Sequence, residues 1–545
     1  MELRIIIGGQ AGQGVQRISE VLGKAFIKTG YYVFNYRDYQ SLIRGGHNYN
    51  ALKISDKPVY SHSEENIDFL IALDQNTISK HFHKLKKDGY VITDKKINAE
   101  RKIEIDVNKI LKEVGAPERS QNVVLISALW KILGLPKDIL RETVEKELGE
   151  VNAKIVDRVF EEELKVIREV KVLERKEKYF LNGSWAIALG AIAAGLDIYI
   201  AYPMTPATPV LHILARLKDK YNIVVYQPDN EIGAINMAVG ASYAGAKVMV
   251  GTSGGGFALM NEALSMSGIM EVPVVIYLAQ RYDPATGIPT YTLQGDMLYS
   301  IFAGHGEFPR IVVAPGDPSE AFRRTIEAFY LAYKYRVPAI ILSDKHLAES
   351  WFTFDEIEKP PEFVTTERFI DLNPKDSKYY SLERIYPRQV PGVSNDIYVK
   401  ANSYEHDEEG FTTEDGKIAT EQMNKRLKKL KMIKEEIQKL EPYRIYNPKA
   451  KKIIISWGST KGAILDALKK LKDFAFLQVI YLWPFPREIK DILLDYDEII
   501  LIENNATGQL GKLLRMETGL DIDRRILKYD ARPFTPEDII KSLRR

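Results

Sequence analysis

The chain has 545 residues, of which 45% are apolar and 28% charged, and its formal net charge is +2. At roughly 100–200 residues per domain, this length predicts about three or four globular domains. The balanced charge argues against nucleic acid or an anionic membrane as a partner. The sequence contains no cysteine, which excludes disulfides, a catalytic thiol and a cysteine-ligated iron–sulfur cluster within it.

The N-terminal stretch MELRIIIGG runs directly into a strand pattern, so we expect no signal peptide. The most apolar window, WAIALGAIAAGLDIYIAYPM, is interrupted by Gly195 and Asp197 and ends at prolines. This pattern predicts a helix, a turn and a strand rather than a membrane span, which needs ~20 residues with few charges. We therefore expect a soluble, cytoplasmic protein.

Residues 1–175 alternate strand and helix patterns, which predicts an α/β domain. The strand LRIIIGG is followed by a glycine-rich turn and a helix that ends at Gly30. We expect YYVFNY, DFLIALD and YVITD to be further strands of a parallel sheet. Helical patterns then cover residues 120–149 and 152–171, and a charged linker follows them.

The turn GGQAGQGV between the first strand and helix carries Gly9, Gly12 and Gly14. Glycines in this context let backbone amides approach a phosphate at the helix N-terminus. The dinucleotide fingerprint needs a third glycine where Arg17 stands and an acid near Asn35, which argues against an NAD or FAD site. A phosphate-facing loop and a structural tight turn both remain open. Downstream, IRGGHNYNALKIS places Arg44 beside two glycines, which alone indicates a charged turn.

Residues 178–354 contain six short runs rich in Val and Ile, which are typical of strands buried on both faces of a parallel sheet. The runs are DIYIAY, NIVVYQ, AKVMVGT, VPVVIYLA, RIVVAP and VPAIILS. In residues 450–545, KKIIISWGS, FLQVIYLWPFP and DEIILIENN predict a further α/β domain.

Residues 355–449 form a predicted linker region with one basic amphipathic helix. Its apolar residues recur at three- and four-residue spacing, so we expect one face to pack on the body or a partner and its lysines to be solvated. These residues are Ile418, Met423, Leu427, Leu430, Ile433, Ile437 and Leu440.

Polar residues stand at several predicted strand ends. In DIYIAYPMTPATP, the prolines end the strand near Tyr202, and Thr205 lies either in a plain connection or in one wall of an active site. Glu231 lies in the first turn of a helix that looks buried, where it serves as a cap helper or as a catalytic acid. The run GTSGGGFALMNEAL forms a second glycine loop between a strand and a helix.

Arg281 ends the strand VPVVIYLAQ and precedes a loop of Pro, Gly and Thr. An arginine in this position can bind a carboxylate through two hydrogen bonds. The alternative is a salt bridge to Asp283 or Asp296, and the residues alone leave both possibilities open.

Together these loops resemble a known family. YPMTPATP, DNEIGAINMAVGASYAGAKVMVGTSGGG, QRYDPATGIPT and LQGD resemble the alpha subunit of 2-oxoacid:ferredoxin oxidoreductases. GGQAGQGV with IRGGHNYN resembles the gamma domain of that family, here fused in front of alpha. EHDEEG and IENNATGQLGKLL match its later regions, and the final segment resembles the transketolase C-terminal domain.

The resemblance implies a thiamine diphosphate enzyme that oxidatively decarboxylates a 2-oxoacid, transfers the acyl group to coenzyme A and reduces ferredoxin. It implies that Glu231 protonates the aminopyrimidine, that Thr205 lies near the substrate carboxylate and that Arg281 binds this carboxylate. Further implied cofactor-binding residues are Tyr202, Pro203, Gly254 and Gly255. Gly9, Gly12, Gly14 and Arg44 become candidates for a coenzyme A or phosphate loop.

The diphosphate-binding Gly-Asp-Gly motif and the cluster cysteines are missing. In the two-subunit members of the family both belong to the beta subunit, so we expect Mg²⁺ and a [4Fe-4S] cluster there and no metal in this chain. The implied assembly is a heterodimer or a dimer of heterodimers. The missing motif argues against a stand-alone transketolase-type enzyme.

The family usually has Gly-Pro-Gly where this chain has Gly254, Gly255 and Gly256, and small residues where it has Tyr282 and Asp283. These departures leave open a non-catalytic scaffold or a coenzyme A-binding subunit with a decayed thiamine pocket. Pyruvate, 2-oxoglutarate, branched-chain and aryl 2-oxoacids all remain open as substrates, with 2-oxoglutarate or a broad range favoured.

Overall fold

The structure is a computed structural model that describes residues 1–41, 45–174, 176–373, 378–395, 398–522 and 524–544. Within these residues, strands assemble into three sheets of eight, seven and five strands, with helices packed on their faces. No helix among them is long and apolar enough to cross a membrane.

The N-terminal part alternates strands and helices as far as residue 161. Its strands are β1 (Glu2–Ala11), β2 (Tyr32–Asp38), β3 (Gly45–Ser55), β4 (Ile67–Ala72), β5 (Leu85–Asp94) and β6 (Lys102–Ile105). Its helices are α1 (Val15–Lys28), α2 (Gln75–His81), α3 (Val107–Val114), α4 (Gln121–Ile132), α5 (Lys137–Leu148) and α6 (Glu150–Glu161).

The first sheet has the order β6-β5-β4-β1-β3-β2 and continues into two strands from the next part of the chain. β1, β4, β5 and β6 are parallel, as expected. The predicted strands run in one direction, but β3, which was not predicted, lies antiparallel to both β1 and β2 and makes the sheet mixed. The stretch IRGGHNYNALKIS, interpreted only as a charged turn, therefore contains an eleven-residue central strand.

The middle part follows the same alternation. Its strands are β7 (Tyr179–Asn182), β8 (Ile198–Ile200), β9 (Val224–Tyr226), β10 (Val248–Thr252), β11 (Val274–Gln280), β12 (Ile311–Val313), β13 (Pro338–Asp344) and β14 (Trp351–Phe354). Its helices are α7 (Gly183–Ala193), α8 (Thr208–Tyr221), α9 (Glu231–Tyr243), α10 (Gly254–Leu259), α11 (Asn261–Met270), α12 (Met297–Phe302), α13 (Pro318–Tyr335) and α14 (Lys345–Glu349).

The C-terminal part begins with a long helix. Its helices are α15 (Gly416–Gln438), α16 (Thr460–Leu468), α17 (Ile489–Leu494), α18 (Gln509–Thr518) and α19 (Pro536–Leu543). Its strands are β15 (Tyr443–Tyr446), β16 (Lys452–Trp457), β17 (Phe474–Val479), β18 (Tyr481–Trp483), β19 (Glu498–Glu503) and β20 (Arg524–Leu527).

The second sheet contains all six strands predicted from the Val- and Ile-rich runs, in the order β18-β12-β13-β11-β10-β8-β9. The six are mutually parallel, and the strands at its centre are buried on both faces, as such runs require. Their carboxyl ends therefore meet at one edge, which is where open α/β sheets bind ligands. The α/β fold class is confirmed.

Strands also connect the three predicted segments. β7 and β14, from the middle segment, extend the first sheet beyond β2. β18, from the last segment, pairs antiparallel with β12 and completes the second sheet. The third sheet has the order β15-β17-β16-β19-β20. The domain boundaries at residues 175, 354 and 449 stay predictions.

Helix α15 packs on the body through a face that differs in part from the predicted one. Ile433, Ile437 and Leu440 are buried as expected, but Leu427 is exposed. The expectation of solvated lysines was wrong for Lys425 and Lys429, which are buried against the carboxylate of Glu271. Their aliphatic stems cover apolar surface while the ammonium groups meet a buried anion.

Candidate active site

The loop after β8 and the residue after β11 meet at the carboxyl edge of the second sheet. Arg281 Nη1 donates a hydrogen bond to the backbone carbonyl of Thr205 at 3.0 Å. Among the described residues, no carboxylate oxygen lies within 4.0 Å of the Arg281 guanidinium, so neither proposed salt bridge forms. Burial lowers the pKa of Arg281, and the nearby Asp283 and Asp296 carboxyls oppose this shift.

The proline-rich loop has a defined course between the strand and helix α8. β8 ends at Ile200, just before Tyr202 and Pro203, which agrees with the predicted strand end. The backbone amides of Ala207 and Thr208 donate to the carbonyl of Met204, which closes the turn. The Thr205–Pro206 peptide bond is cis. The loop thus directs Thr205 towards Arg281.

Glu231 is the first residue of α9, and it is only 3% exposed. The side chain of Asn230 caps this helix by accepting from the amide of Gly233, so Glu231 is not needed as the cap. Glu231 Oε1 is buried and has no hydrogen-bond partner among the described residues. An unpaired buried carboxylate oxygen is costly, which points to a ligand as the missing partner.

The glycine run Gly254–Gly256 begins α10 and packs closely against Glu231. A Cβ at Gly256 would lie 2.6 Å from Glu231 Oε1 and 2.1 Å from Thr252 Oγ1. A Cβ at Gly255 would meet nothing within 4 Å, so the backbone is open there. Gly256 therefore allows the Glu231 carboxylate to lie close to the backbone, and Gly255 leaves open space beside the backbone.

Two carboxyl groups, those of Asp283 and Asp296, lie near Arg281. Asp296 is 7% exposed, and its Oδ2 occupies the space that a Cβ at Gly254 would enter at 2.4 Å. Asp283 Oδ1 lies against Gly295, where a Cβ would approach it to 2.9 Å. Burial and the Asp283 carboxylate raise the pKa of Asp296 to about 8. The sequence named Asp296 only as a salt-bridge partner of Arg281, and Asp283 as such a partner and as a departure from the family pattern.

The C-terminal domain holds the loop that carries Asp296. The amide of Gln294 donates to the carbonyl of Asn504 at 2.8 Å, and Asn505 Nδ2 donates to the carbonyl of Gln294 at 3.2 Å. Gln509 Nε2 donates to the carbonyl of Gly295 at 2.6 Å. The stretch IENNATGQL therefore positions LQGD, a role that the sequence alone did not reveal because the two stretches lie about 210 residues apart.

The N-terminal glycine loop lies at the start of α1, as predicted. Gly12 and Gly14 have φ angles of +97° and +72°, which L-residues rarely adopt, and Gly14 caps α1 without a side-chain hydrogen bond. The side chain of Gln13 accepts from the amide of Gln10, so the loop partly satisfies its own backbone. The predicted role of Arg44 concerns a residue outside the described ranges.

A cleft with a volume of about 850 Å³ opens beside α1 and α8. Its lining combines cationic and aromatic side chains from the first sheet, α7 and α8. They include Arg17, Lys24, Arg37, Trp185, Arg216 and Trp351. Because α8 begins three residues after Thr205, this cleft adjoins the carboxyl edge of the second sheet.

The expectation of a buried α9 was wrong for one side of the helix. Ile232 and Met237 are 51% and 45% exposed, although the opposite side is buried. Further exposed apolar side chains stand on the neighbouring elements around the site. They are Tyr202, Tyr226, Leu259 and Ile288. Apolar surface of this kind is typical of a protein–protein interface.

Comparisons with known proteins agree with this architecture. Residues 189–425 match the family described as "Pyruvate flavodoxin/ferredoxin oxidoreductase, thiamine diP-bdg", and residues 4–169 match "Pyruvate ferredoxin/flavodoxin oxidoreductase". The fold and the site thus define a subunit of an oxidoreductase with a thiamine diphosphate-binding domain.

Proteins similar to this one match it over the whole length of the chain. The alpha subunit of a 2-oxoacid:ferredoxin oxidoreductase from Sulfolobus sp is 33% identical over all of this chain and 96% of its own length. The corresponding subunit from Saccharolobus solfataricus is 34% identical over all of this chain and 98% of its own. The chain belongs to the family of 2-oxoacid:ferredoxin oxidoreductase alpha subunits.

A solved structure of the same kind matches the complete fold. The 2-oxoglutarate:ferredoxin oxidoreductase from Magnetococcus marinus, with 2-oxoglutarate, coenzyme A and succinyl-CoA bound, has a TM-score of 0.89 and 27% identity. The match covers all of this chain and 99% of the other. The recognised resemblance, the enzyme class and the fold class are therefore confirmed.

The residues present fit the pyrimidine side of thiamine diphosphate. The partnerless Glu231 Oε1 offers a proton acceptor inside a buried wall, and the open backbone at Gly255 leaves room beside it. Arg281 and Thr205 lie at the same edge of the sheet and leave guanidinium donors for a carboxylate.

Proposed function

We propose that this chain provides the substrate-binding and proton-transfer half of a 2-oxoacid:ferredoxin oxidoreductase active site. The observation that carries this proposal is the buried, partnerless Glu231 Oε1 at the edge where Arg281 meets Thr205. The reaction is the oxidative decarboxylation of a 2-oxoacid to an acyl-CoA with reduction of ferredoxin.

Each residue has a distinct task in this proposal. Glu231 Oε1 exchanges a proton with a ring nitrogen of the cofactor, and its buried position excludes competing water. Bound thiamine diphosphate supplies the nucleophilic carbon and the electron sink that decarboxylation requires. Arg281 binds the substrate carboxylate, while its bond to Thr205 fixes the guanidinium plane. Tyr202, Pro203, Gly254 and Gly255 line the cofactor side.

The other half of the site is assigned to a beta subunit. This chain lacks a Gly-Asp-Gly motif and cysteines, so Mg²⁺, the diphosphate and a [4Fe-4S] cluster are assigned to that partner. The exposed Ile232, Met237, Tyr226 and Leu259 support docking of the partner across α9 and α10. The proposed assembly is a cytoplasmic heterodimer or a dimer of heterodimers.

The cleft beside α1 is the proposed entrance for coenzyme A. Arg17, Arg37 and Arg216 supply positive charge for phosphate groups, and Trp185 and Trp351 supply aromatic surface for an adenine ring. Gly9, Gly12, Gly14 and Arg44 remain candidate phosphate contacts at the adjoining loop. A double substitution of Arg37 and Arg216 to Gln is expected to raise the KM for coenzyme A and to leave the KM for the 2-oxoacid unchanged.

The proposal is tested with the chain co-produced with a candidate beta subunit. We expect 2-oxoacid- and coenzyme A-dependent reduction of methyl viologen, and a loss in kcat of at least about 100-fold in Glu231→Gln. Glu262→Gln, an exposed neighbour on α11, serves as the matched control. Unchanged turnover in Glu231→Gln would favour a non-catalytic scaffold, and a loaded complex inactive with every 2-oxoacid would refute the proposal.

A further inference from the structure

A carboxyl pair beside Arg281 has no part in the chemistry described above. Asp283 follows Arg281 by two residues. Asp296 lies after the intervening loop, at the N-cap position immediately before the short helix α12. The end of strand β11 is linked to this helix, because Gln280, the last residue of the strand, accepts a hydrogen bond through Oε1 from the amide of Asp296 at 2.9 Å. The pair therefore lies at the same end of β11 as the guanidinium of Arg281, which we propose binds the substrate.

The position of the pair is fixed from several sides. Asp296 Oδ2 lies against Gly254, and Asp283 Oδ1 lies against Gly295, so both carboxyls face the glycine loop and the LQGD turn. The loop between them is closed by an antiparallel bridge between Tyr282 and Ile288. Reorientation of either carboxyl away from Arg281 would have to disrupt these contacts.

Asp296 is the member of the pair that holds a proton at neutral pH. Burial and the neighbouring Asp283 raise the pKa of Asp296 to about 8, so Asp296 holds its proton and can donate to Asp283. Asp296 Oδ2 is buried and has no hydrogen-bond partner among the described residues. Protonation of Asp296 removes its charge and leaves Asp283 as the acidic side chain beside Arg281.

A second carboxylate on a substrate would be repelled by the negative charge of Asp283. Arg281 can neutralise the carboxylate that every 2-oxoacid carries at C1, but no further cation of the described residues pairs with Asp283 or Asp296. At roughly 6 Å and an effective dielectric constant of about 20, two like charges disfavour each other by about a hundredfold in affinity.

We propose that Asp283, held by Asp296, is a specificity-determining residue that selects monocarboxylic 2-oxoacids against dicarboxylic ones such as 2-oxoglutarate. This inference rests on the proposed function and deepens it. It differs from the expectation stated for the sequence, which favoured 2-oxoglutarate or a broad range of 2-oxoacids. It also gives a role to the departure at Asp283, where the family usually has a small residue.

The test compares 2-oxoglutarate with 5-methyl-2-oxohexanoate, in which an isopropyl group of similar shape replaces the distal carboxylate. In the assembled complex, wild type is expected to have a higher kcat/KM for 5-methyl-2-oxohexanoate, which carries only the C1 carboxylate, than for 2-oxoglutarate. Asp283→Asn, made in an Asp296→Asn background so that the second carboxyl cannot take over the charge, keeps the shape and removes the charge. We expect it to raise the ratio for 2-oxoglutarate over the analogue at least about tenfold. Asp219→Asn, an exposed change of equal charge on α8, is expected to leave the ratio unchanged.

Equilibrium binding of the two acids to the same complexes gives a readout that does not need turnover. A binding ratio that shifts in Asp283→Asn supports the inference even if no acid is oxidised, and this outcome would count against the proposed function alone. Equal changes for both acids, or a ratio within about twofold of wild type, would overturn the inference. Asp283→Gly, which restores a small residue, provides a second variant with the same expectation.

Discussion

Arg281 and Thr205 are joined by a 3.0 Å hydrogen bond from Nη1 of the guanidinium to the backbone carbonyl of the threonine. The bond connects the ends of two strands that lie 76 residues apart in the chain. Because the bond uses a backbone acceptor and one guanidinium nitrogen, it leaves the threonine side chain and the other guanidinium donors free of this contact.

We expect Arg281→Lys to raise the KM for the 2-oxoacid about 10- to 100-fold, with a smaller change in kcat. A single ammonium group cannot keep the Thr205 carbonyl and also bind a carboxylate at two points. Steady-state viologen reduction by the assembled complex measures both constants. Arg487→Lys, an exposed ion-pair residue on the last domain, is the control, and an unchanged KM in Arg281→Lys would contradict the assignment.

Gly256→Ala is expected to lower kcat at least about tenfold. The new Cβ would lie 2.1 Å from Thr252 Oγ1 and 2.6 Å from Glu231 Oε1, so the carboxylate has to move, and displacements near 1 Å are costly in catalysis. Gly416→Ala, at the exposed start of α15 with nothing within 4 Å, should keep full activity. Equal activity of the two variants would show that the position of Glu231 is not critical.

Glu271→Gln is expected to destabilise the chain by about 3–5 kcal/mol, because it leaves buried cations without their anion. Lys425 Nζ lies 2.5 Å from Glu271 Oε1, Lys429 contacts the other oxygen, and all three side chains are at most 3% exposed. Urea unfolding measures the change. Glu435→Gln, on the exposed side of α15, should shift stability by less than about 0.5 kcal/mol.

His62 is expected to make the protein less stable in acid. Burial lowers the pKa of His62 to about 4, whereas its ordinary value is 6.5, so the unfolded chain binds this proton first as the pH falls. Stability is therefore full above pH 6.5 and declines towards pH 4, by roughly 2 kcal/mol at pH 5.

The variant His62→Phe preserves the stack on Tyr36, whose ring centroid lies 4.1 Å away, and removes the titration. We expect the difference in thermal midpoint between pH 7.5 and pH 5 to become smaller than in wild type. His212→Gln, an exposed histidine on α8, should keep the wild-type difference. An unchanged difference in His62→Phe would assign the acid sensitivity to other groups.

The strands of the second sheet could be predicted because each combines a Val- and Ile-rich run with flanking turn residues. β3 could not, because GGHNYNALKIS mixes two glycines and two asparagines into its first half and lacks a continuous apolar run. Its identity depends on β1 and β2, which pair with it on both sides.

The buried face of α15 shows a second limit of pattern reasoning. Lysine spacing on a basic helix indicates solvent, and only Glu271, more than 150 residues earlier in the chain, makes a buried position favourable for Lys425 and Lys429. Long-range partners of this kind leave no local signature. The burial of α9 could not be predicted either, because the residues on its exposed side are small or apolar and are therefore typical of a buried core.

Within the candidate site, family-like loops identified Thr205, Glu231 and Arg281, and their location at one sheet edge follows from the parallel order of the strands. The environment of Asp296 could not be predicted. It depends on Asp283 across a loop, on Gly254 from another strand end and on Asn504 of the last domain, which come together only in the folded chain.

The strand β18 has a consequence for the order in which the protein is made. The second sheet keeps an open edge at β12 until residue 483 has left the ribosome, about 170 residues after β12 itself. The first sheet likewise lacks β14 until residue 354 has emerged, although β2 was synthesised more than 300 residues earlier. Since unpaired edges invite intermolecular pairing, each sheet is exposed to it until its late strand emerges, and slow synthesis of the last hundred residues would prolong the exposure of the second sheet.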